Sequence, residues 1–125
     1  MHEAGWHICM HSCGRINDII EDLIEIALDI INLIQPRVLG IEEIWRKFRG
    51  SVCSETLCDI QHTLPLKGFD DIRKVAKLLL KYLSSPMSGY ILLIDEYELD
   101  LNVSPEKSKI MLDAIMETDP WAHQH

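Results

Sequence analysis

His7-Ile8-Cys9-Met10-His11-Ser12-Cys13-Gly14 opens the alternation of periods from which the architecture follows. Apolar Ile8 and Met10 alternate with His7, Cys9, His11 and Cys13, and a period of two places those four side chains together on one face of a strand. Gly14 ends it. The period then changes to 3.6: Ile16, Ile19, Ile20, Leu23, Ile24 and Ala27 share one helical face, with Asp18, Glu21, Asp22 and Glu25 on the other. Ile30-Ile31-Asn32-Leu33-Ile34 returns to a buried strand, stopped by Gln35-Pro36.

The exchange of periods repeats toward the C-terminus. Ile41, Ile44, Trp45 and Phe48 predict a short helix closed by Gly50, and 52–57 a third strand. After Thr63-Leu64-Pro65 comes a longer helix with Phe69, Ile72, Val75, Ala76, Leu79, Leu80 and Leu83 inward. Asp70 and Asp71 sit at its positive end. Gly89-Tyr90-Ile91-Leu92-Leu93-Ile94 reads as the fourth strand. Ser104-Pro105-Glu106 then opens a fourth helix as N-cap followed by proline, burying Ile110, Met111, Ala114 and Ile115 and ending at Asp119-Pro120. Residues 1–120 thus read as one domain, with 121–125 a short tail.

The order β-α-β-α-β-α-β-α predicts an α/β fold of parallel strands joined by right-handed crossovers. Two architectures satisfy it: a small open sheet with helices on both faces, or half of a (β/α)8 TIM barrel. A full barrel takes about 250 residues, and this chain has 125.

Composition narrows the function classes. Apolar residues make up 47% and charged residues 26%, a globular balance that excludes collagen and wholesale disorder. Twelve basic residues against 20 acidic ones give a net charge of −8, which repels nucleic acid and anionic membranes alike. No apolar run approaches the roughly 20 residues of a membrane span. Met1-His2-Glu3-Ala4-Gly5-Trp6 lacks the basic start and apolar core of a secretory signal. Four cysteines are too few for a disulfide scaffold. Cys9 and Cys13 on one strand stand about 13 Å apart, beyond disulfide reach. A reducing cytoplasm fits these features.

In parallel α/β folds, ligands meet the carboxyl ends of the strands. His11 and Cys13 lie there, about 6.6 Å apart along the strand, close enough to share one tetrahedral zinc. Imidazole with thiolate is borderline-soft ligation that suits zinc over magnesium or calcium. His7 and Cys9 lie deeper and are expected in the core, and the whole strand also admits a purely structural reading. Cys58, Asp59 and Gln61, with His62, form a polar cluster at the end of the third strand, a second candidate pocket. Asp95, Glu96, Glu98 and Asp100 read as a solvated loop. Gly-x-Gly-x-x-Gly, the phosphate loop and the Gly-x-Ser-x-Gly elbow are all absent. The iron–sulfur pattern of radical enzymes needs a third cysteine where Ile16 stands.

Two stretches add a family resemblance. His11-Ser12-Cys13-Gly14 before an acidic helix and Ile30-Ile31-Asn32-Leu33-Ile34-Gln35-Pro36 is similar to the uroporphyrinogen decarboxylase superfamily. So is Cys58-Asp59-Ile60-Gln61-His62-Thr63-Leu64-Pro65 before Gly68-Phe69-Asp70-Asp71-Ile72. The resemblance runs from about His7 to Trp121 and covers the C-terminal half, strands five to eight, of that family's barrel. It implies a relative of the haem-pathway decarboxylase or of the methyltransferases that pass methyl groups between corrinoid proteins and thiols.

In those methyltransferases a His-x-Cys pair after strand five binds zinc together with a cysteine after strand eight. His11 and Cys13 match the pair. The third position falls near Asp95 or Glu96, where there is no cysteine, so that Glu96 as an oxygen ligand, or Cys58 reaching across, stands in for it. The decarboxylase's Gly-His-Gly after strand eight is replaced by Asp95-Glu96-Tyr97. The resemblance therefore implies zinc-dependent methyl transfer from a corrinoid, carried by a partner protein or supplied as substrate, to a small-molecule thiol. The alternative is uroporphyrinogen decarboxylation in porphyrin biosynthesis. Half a barrel exposes two sheet edges, which predicts a truncated reading frame or pairing with a second half from another chain or a second copy. An inert fragment or interaction module is the corresponding reading, and the isolated chain is expected to be inactive.

Overall fold

The computed structural model describes residues 1–58, 63–93 and 103–119; of residues 37, 38, 44 and 45 only the backbone is described. The expected inward placement of Ile44 and Trp45, and the tail 121–125, therefore lie outside the described residues. After a 3-10 turn at His2–Ala4, the elements are β1 (Cys9–Ser12), α1 (Ile20–Glu25), β2 (Ile30–Leu33), α2 (Pro36–Leu39), α3 (Ile41–Phe48), β3 (Cys53–Thr56), α4 (Thr63–Leu66), α5 (Phe69–Leu83), β4 (Tyr90–Leu92) and α6 (Pro105–Thr118).

The strands form one parallel sheet in the order β1-β2-β3-β4, each beside its neighbour in sequence. Helical crossovers are what parallel neighbours require. The register aligns Met10, Ile31, Ser54 and Tyr90 across the sheet in one row, and Ser12, Leu33, Thr56 and Leu92 in another. Of these, Ile31, Leu33, Ser54 and Thr56 are buried. The opposite face carries the rows Cys9–Ile30–Cys53 and His11–Asn32–Glu55–Ile91. Cys9, His11 and Ile91 there are exposed. The buried apolar side chains form one cluster, shared by the covered face and the helices. The described residues therefore have one covered face and one open face, and the arrangement with helices on both faces is not the one they adopt.

Helix α5 shows why these residues make these elements. Ile72, Ala76, Leu79, Leu80 and Leu83 fall on one stripe and are all buried. Asp70 and Asp71 lie in its first turn and Lys81 in its last, each favourable to the helix dipole. Phe69, expected inward, is 50% exposed. It is the first helical residue, and side chains lean toward the N-terminus, which carries its ring past the packed stripe. Helix α6 starts as expected at Ser104 and Pro105, with Ile110 only half-buried. Lys107 Nζ ties it to α4, donating to the carbonyls of Leu64 and Pro65 at 2.8 and 3.0 Å.

Helix α1 is shorter than its apolar period. It ends in a turn where Leu28 N–H donates to Leu23 O at 3.1 Å and Ala27 N–H to Ile24 O at 2.9 Å. This is the Schellman pattern, with Ala27 in the left-handed region at φ 71°. Ile19 and Ala27, expected on the buried face, are exposed because they flank the helix and do not belong to it. No helix among the described residues is long and apolar enough to cross a membrane.

Candidate functional site

Strand β1 places the site. Its alternation holds: Cys9 and His11 are exposed while Met10 and Ser12 are half-buried, and the flanking residues continue the pattern, with His7 and Cys13 exposed and Ile8 half-buried. The expectation that His7 and Cys9 are core is corrected. Among the described residues β1 is an edge strand, and none of them covers this face of the sheet over His7 and Cys9. Gly14 ends the strand with φ +87°, a left-handed conformation that favours glycine. Its N–H donates to Gln35 Oε1 at 3.2 Å, which links the loop after β1 to the loop after β2.

His11 and Cys13, two residues apart, bring Nε2 and Sγ to 3.3 Å. The other ring nitrogen, Nδ1, lies 2.6 Å from Oδ1 of Asn32, the register partner of His11 on β2. Asn32 Nδ2 in turn donates to Glu55 Oε2 at 2.8 Å, and Glu55 is the register partner of Asn32 on β3. The result is a continuous polar row, Cys13–His11–Asn32–Glu55, along the open face. Asn32 is the buried member at 9% exposure, while His11 and Cys13 stand at the solvent end.

Two further thiols share this face. Cys9 Sγ lies 3.9 Å from Glu55 Oε2. Partial burial, then the charge of Glu55, pushes the Cys9 thiol above its ordinary range. Burial, Glu55 and Cys9 do the same to Cys53. Both are therefore protonated at neutral pH. Cys9 and Cys53 are separated by Ile30 in the register. Two strand spacings amount to about 10 Å, too far for a disulfide. No disulfide joins any of the four cysteines.

The remaining expected site residues fall elsewhere. Cys58, expected at a pocket, is fully buried on the helix side: its thiol donates to Ile72 O at 3.7 Å and its N–H to Met111 Sδ at 3.4 Å. The strand stops at Thr56, so Cys58 lies in the turn behind it, and it cannot reach across to His11. Asp59, Gln61 and Glu96 lie outside the described residues. No group of three or more metal-binding side chains occurs among the described residues. His11 and Cys13 bring one nitrogen and one sulfur together, fewer than the four ligands of a tetrahedral site. A cavity of about 460 Å³ lined by Leu80, Met87, Tyr90 and Ile115 lies away from the pair.

Asn32 and Glu55 belong to no ligand motif in the sequence and join the site through the sheet register. The available signal was Asn32 itself, the one polar residue in the apolar run 30–34. At the opposite end of the strands, Asp29 Oδ2 accepts from Ile8 N–H at 2.7 Å and pairs with His2 Nε2 at 2.6 Å. These contacts hold its carboxyl below the usual range and clasp the N-terminal turn to the start of β2.

Comparisons with protein-family models, curated proteins and solved structures found no match.

Proposed function

We propose that the chain is half of a (β/α)8 barrel of the uroporphyrinogen decarboxylase type, on the side of its corrinoid-to-thiol methyltransferases, with His11 and Cys13 as zinc ligands. The observation that carries this reading is the 3.3 Å approach of His11 Nε2 to Cys13 Sγ at the open end of β1. A nitrogen and a sulfur so placed fit a borderline-soft cation. Glu96, in the segment after β4, is the proposed third ligand. The strand order without reversal and the single covered face are what a barrel segment requires, because each right-handed crossover then falls on the same side.

Zinc, when bound, supplies the Lewis acidity that keeps a substrate thiol deprotonated at neutral pH. The chain's own residues do the rest. His11 and Cys13 fix the position of the cation, the Gly14–Gln35 bond holds the loop that carries Cys13, and the open face admits thiol and methyl donor together. The thiol sulfur takes the methyl carbon, and the cobalt–carbon electron pair stays with the corrinoid. The test is incubation of zinc-loaded protein with methylcobalamin and a small thiol. Growth of the cob(I)alamin absorbance together with the thioether supports the reading. No turnover above free zinc is what the inert-half reading expects of the isolated chain, whereas a folded chain that binds no zinc through His11 and Cys13 contradicts the methyl-transfer reading.

A second reading is favoured by the open face and the edge strands β1 and β4: the chain is an inactive half that pairs with another half, from a second copy or a different chain. Sedimentation of the purified chain tests it, and a monomer at high micromolar concentration excludes self-pairing.

A further inference from the structure

We infer that Asn32 and Glu55 are positioning residues that hold His11 as the Nδ1–H tautomer and leave Nε2 bare toward Cys13. Glu55 sets the orientation of the row. The Asn32 amide faces its carboxylate with the nitrogen, at 2.8 Å. Reversing the amide would set Oδ1 against Oε2, two acceptors in contact, so the carboxylate decides which end of the amide points to β3. The other end, Oδ1, must then face His11. An amide oxygen only accepts, so the ring nitrogen 2.6 Å from it, Nδ1, carries the hydrogen. A neutral imidazole has one N–H, and Nε2 is left with its lone pair, 3.3 Å from Cys13 Sγ. Turning the ring over would place carbon atoms at both positions and lose both contacts.

The register makes this possible. His11, Asn32 and Glu55 are direct neighbours across three strands, so three side chains of ordinary length close the row without strain. Metal-binding histidines commonly donate their second N–H to a carbonyl or carboxylate that fixes the ring. Here the carboxylate acts one residue further out, through the amide. The use of the bare Nε2 as a metal donor rests on the zinc reading; the tautomer does not.

Two measurements keep the claims separable. In metal-free protein with a neutral ring, long-range 1H–15N correlation spectra report which nitrogen of His11 is protonated. The wild type is expected to show Nδ1–H, and Glu55→Gln to keep it, because the glutamine oxygen still accepts from Asn32. Asn32→Leu, close in volume, removes the acceptor and is expected to bring in the Nε2–H form. Glu55→Leu frees the amide to reverse and is expected to mix the two forms, which covers the case in which Asn32→Leu does not fold. A wild-type ring protonated at Nε2, or tautomers that ignore both leucine variants, overturns the inference. Zinc competition against a chelating dye is the second readout, with about a 10–100-fold weaker affinity expected in Asn32→Leu. Expected tautomers with no zinc binding in any variant sustain the relay and remove the zinc reading instead.

Discussion

His11 Nδ1 and Asn32 Oδ1 lie 2.6 Å apart, on neighbouring strands and directly opposite in the register, although 21 positions separate them in the chain. This contact joins the solvent-exposed pair His11–Cys13 to a buried amide and, through it, to Glu55. It gives an exposed histidine a defined orientation on a face of the sheet that no helix among the described residues covers.

The covered face should be sensitive to truncation. Leu79 is fully buried in the stripe of α5. Leu79→Ala is expected to lower the unfolding free energy by about 2–5 kcal/mol, read as a shift in urea midpoint. An unchanged midpoint would mean that α5 does not pack on the sheet as described.

Ala27 is a non-glycine residue at φ 71°. Left-handed backbone costs an L-residue with a Cβ about 1–2 kcal/mol. Ala27→Gly removes that cost and is expected to raise the melting temperature, whereas a glycine in an ordinary helix lowers it.

Much of the architecture is legible in the sequence, and the reasons differ by element. Strand β1 and helices α5 and α6 show their period because each has a more buried and a more open side, whereas β2 and β4 are legible as short apolar runs. Helices α2 and α4 show no period, since four residues make about one turn and carry no repeat. The apolar run of α1 extends beyond the helix because Ile19 and Ala27 belong to its flanking turns. The site divides in the same way. His11 and Cys13 are visible from alternation along one strand, but Asn32 and Glu55 join them only through cross-strand register, which no local pattern encodes. Cys58 is buried because it shares the parity of Ser54 and Thr56, which lie on the covered face, and a polar cluster at a strand end does not reveal that side.

The Asp29 clasp gives a pH signature. Its carboxyl is held below the ordinary value of 3.8 by the Ile8 N–H, and then by His2. A lowered folded-state value contributes stability that is complete above the ordinary value and is lost as pH falls through the lowered one. Asp29→Asn, which stays neutral, is therefore expected to be less stable than wild type at pH 7, with the gap closing in acid. A constant gap from pH 7 to 2 would show that the charge of Asp29 makes no contribution.

Cys9 and Cys53 carry the opposite sign. Burial and Glu55 raise both thiols above 9.0. Their contribution to stability is complete below that value and fades as pH rises through the raised ones. At pH 7 both are expected to alkylate more slowly with iodoacetamide in the folded protein than in urea, scored by peptide mass spectrometry. Equal rates in the two states would remove the proposed effect of the fold on these thiols.

If His11 and Cys13 hold a cation together, zinc bound per folded chain after dialysis without a strong chelator reports it, in wild type, His11→Ala and Cys13→Ser. About one zinc per wild-type chain, lost in both variants while their helical circular dichroism is retained, is the expected result. Equal zinc in all three, or none in a folded wild type, would contradict the claim.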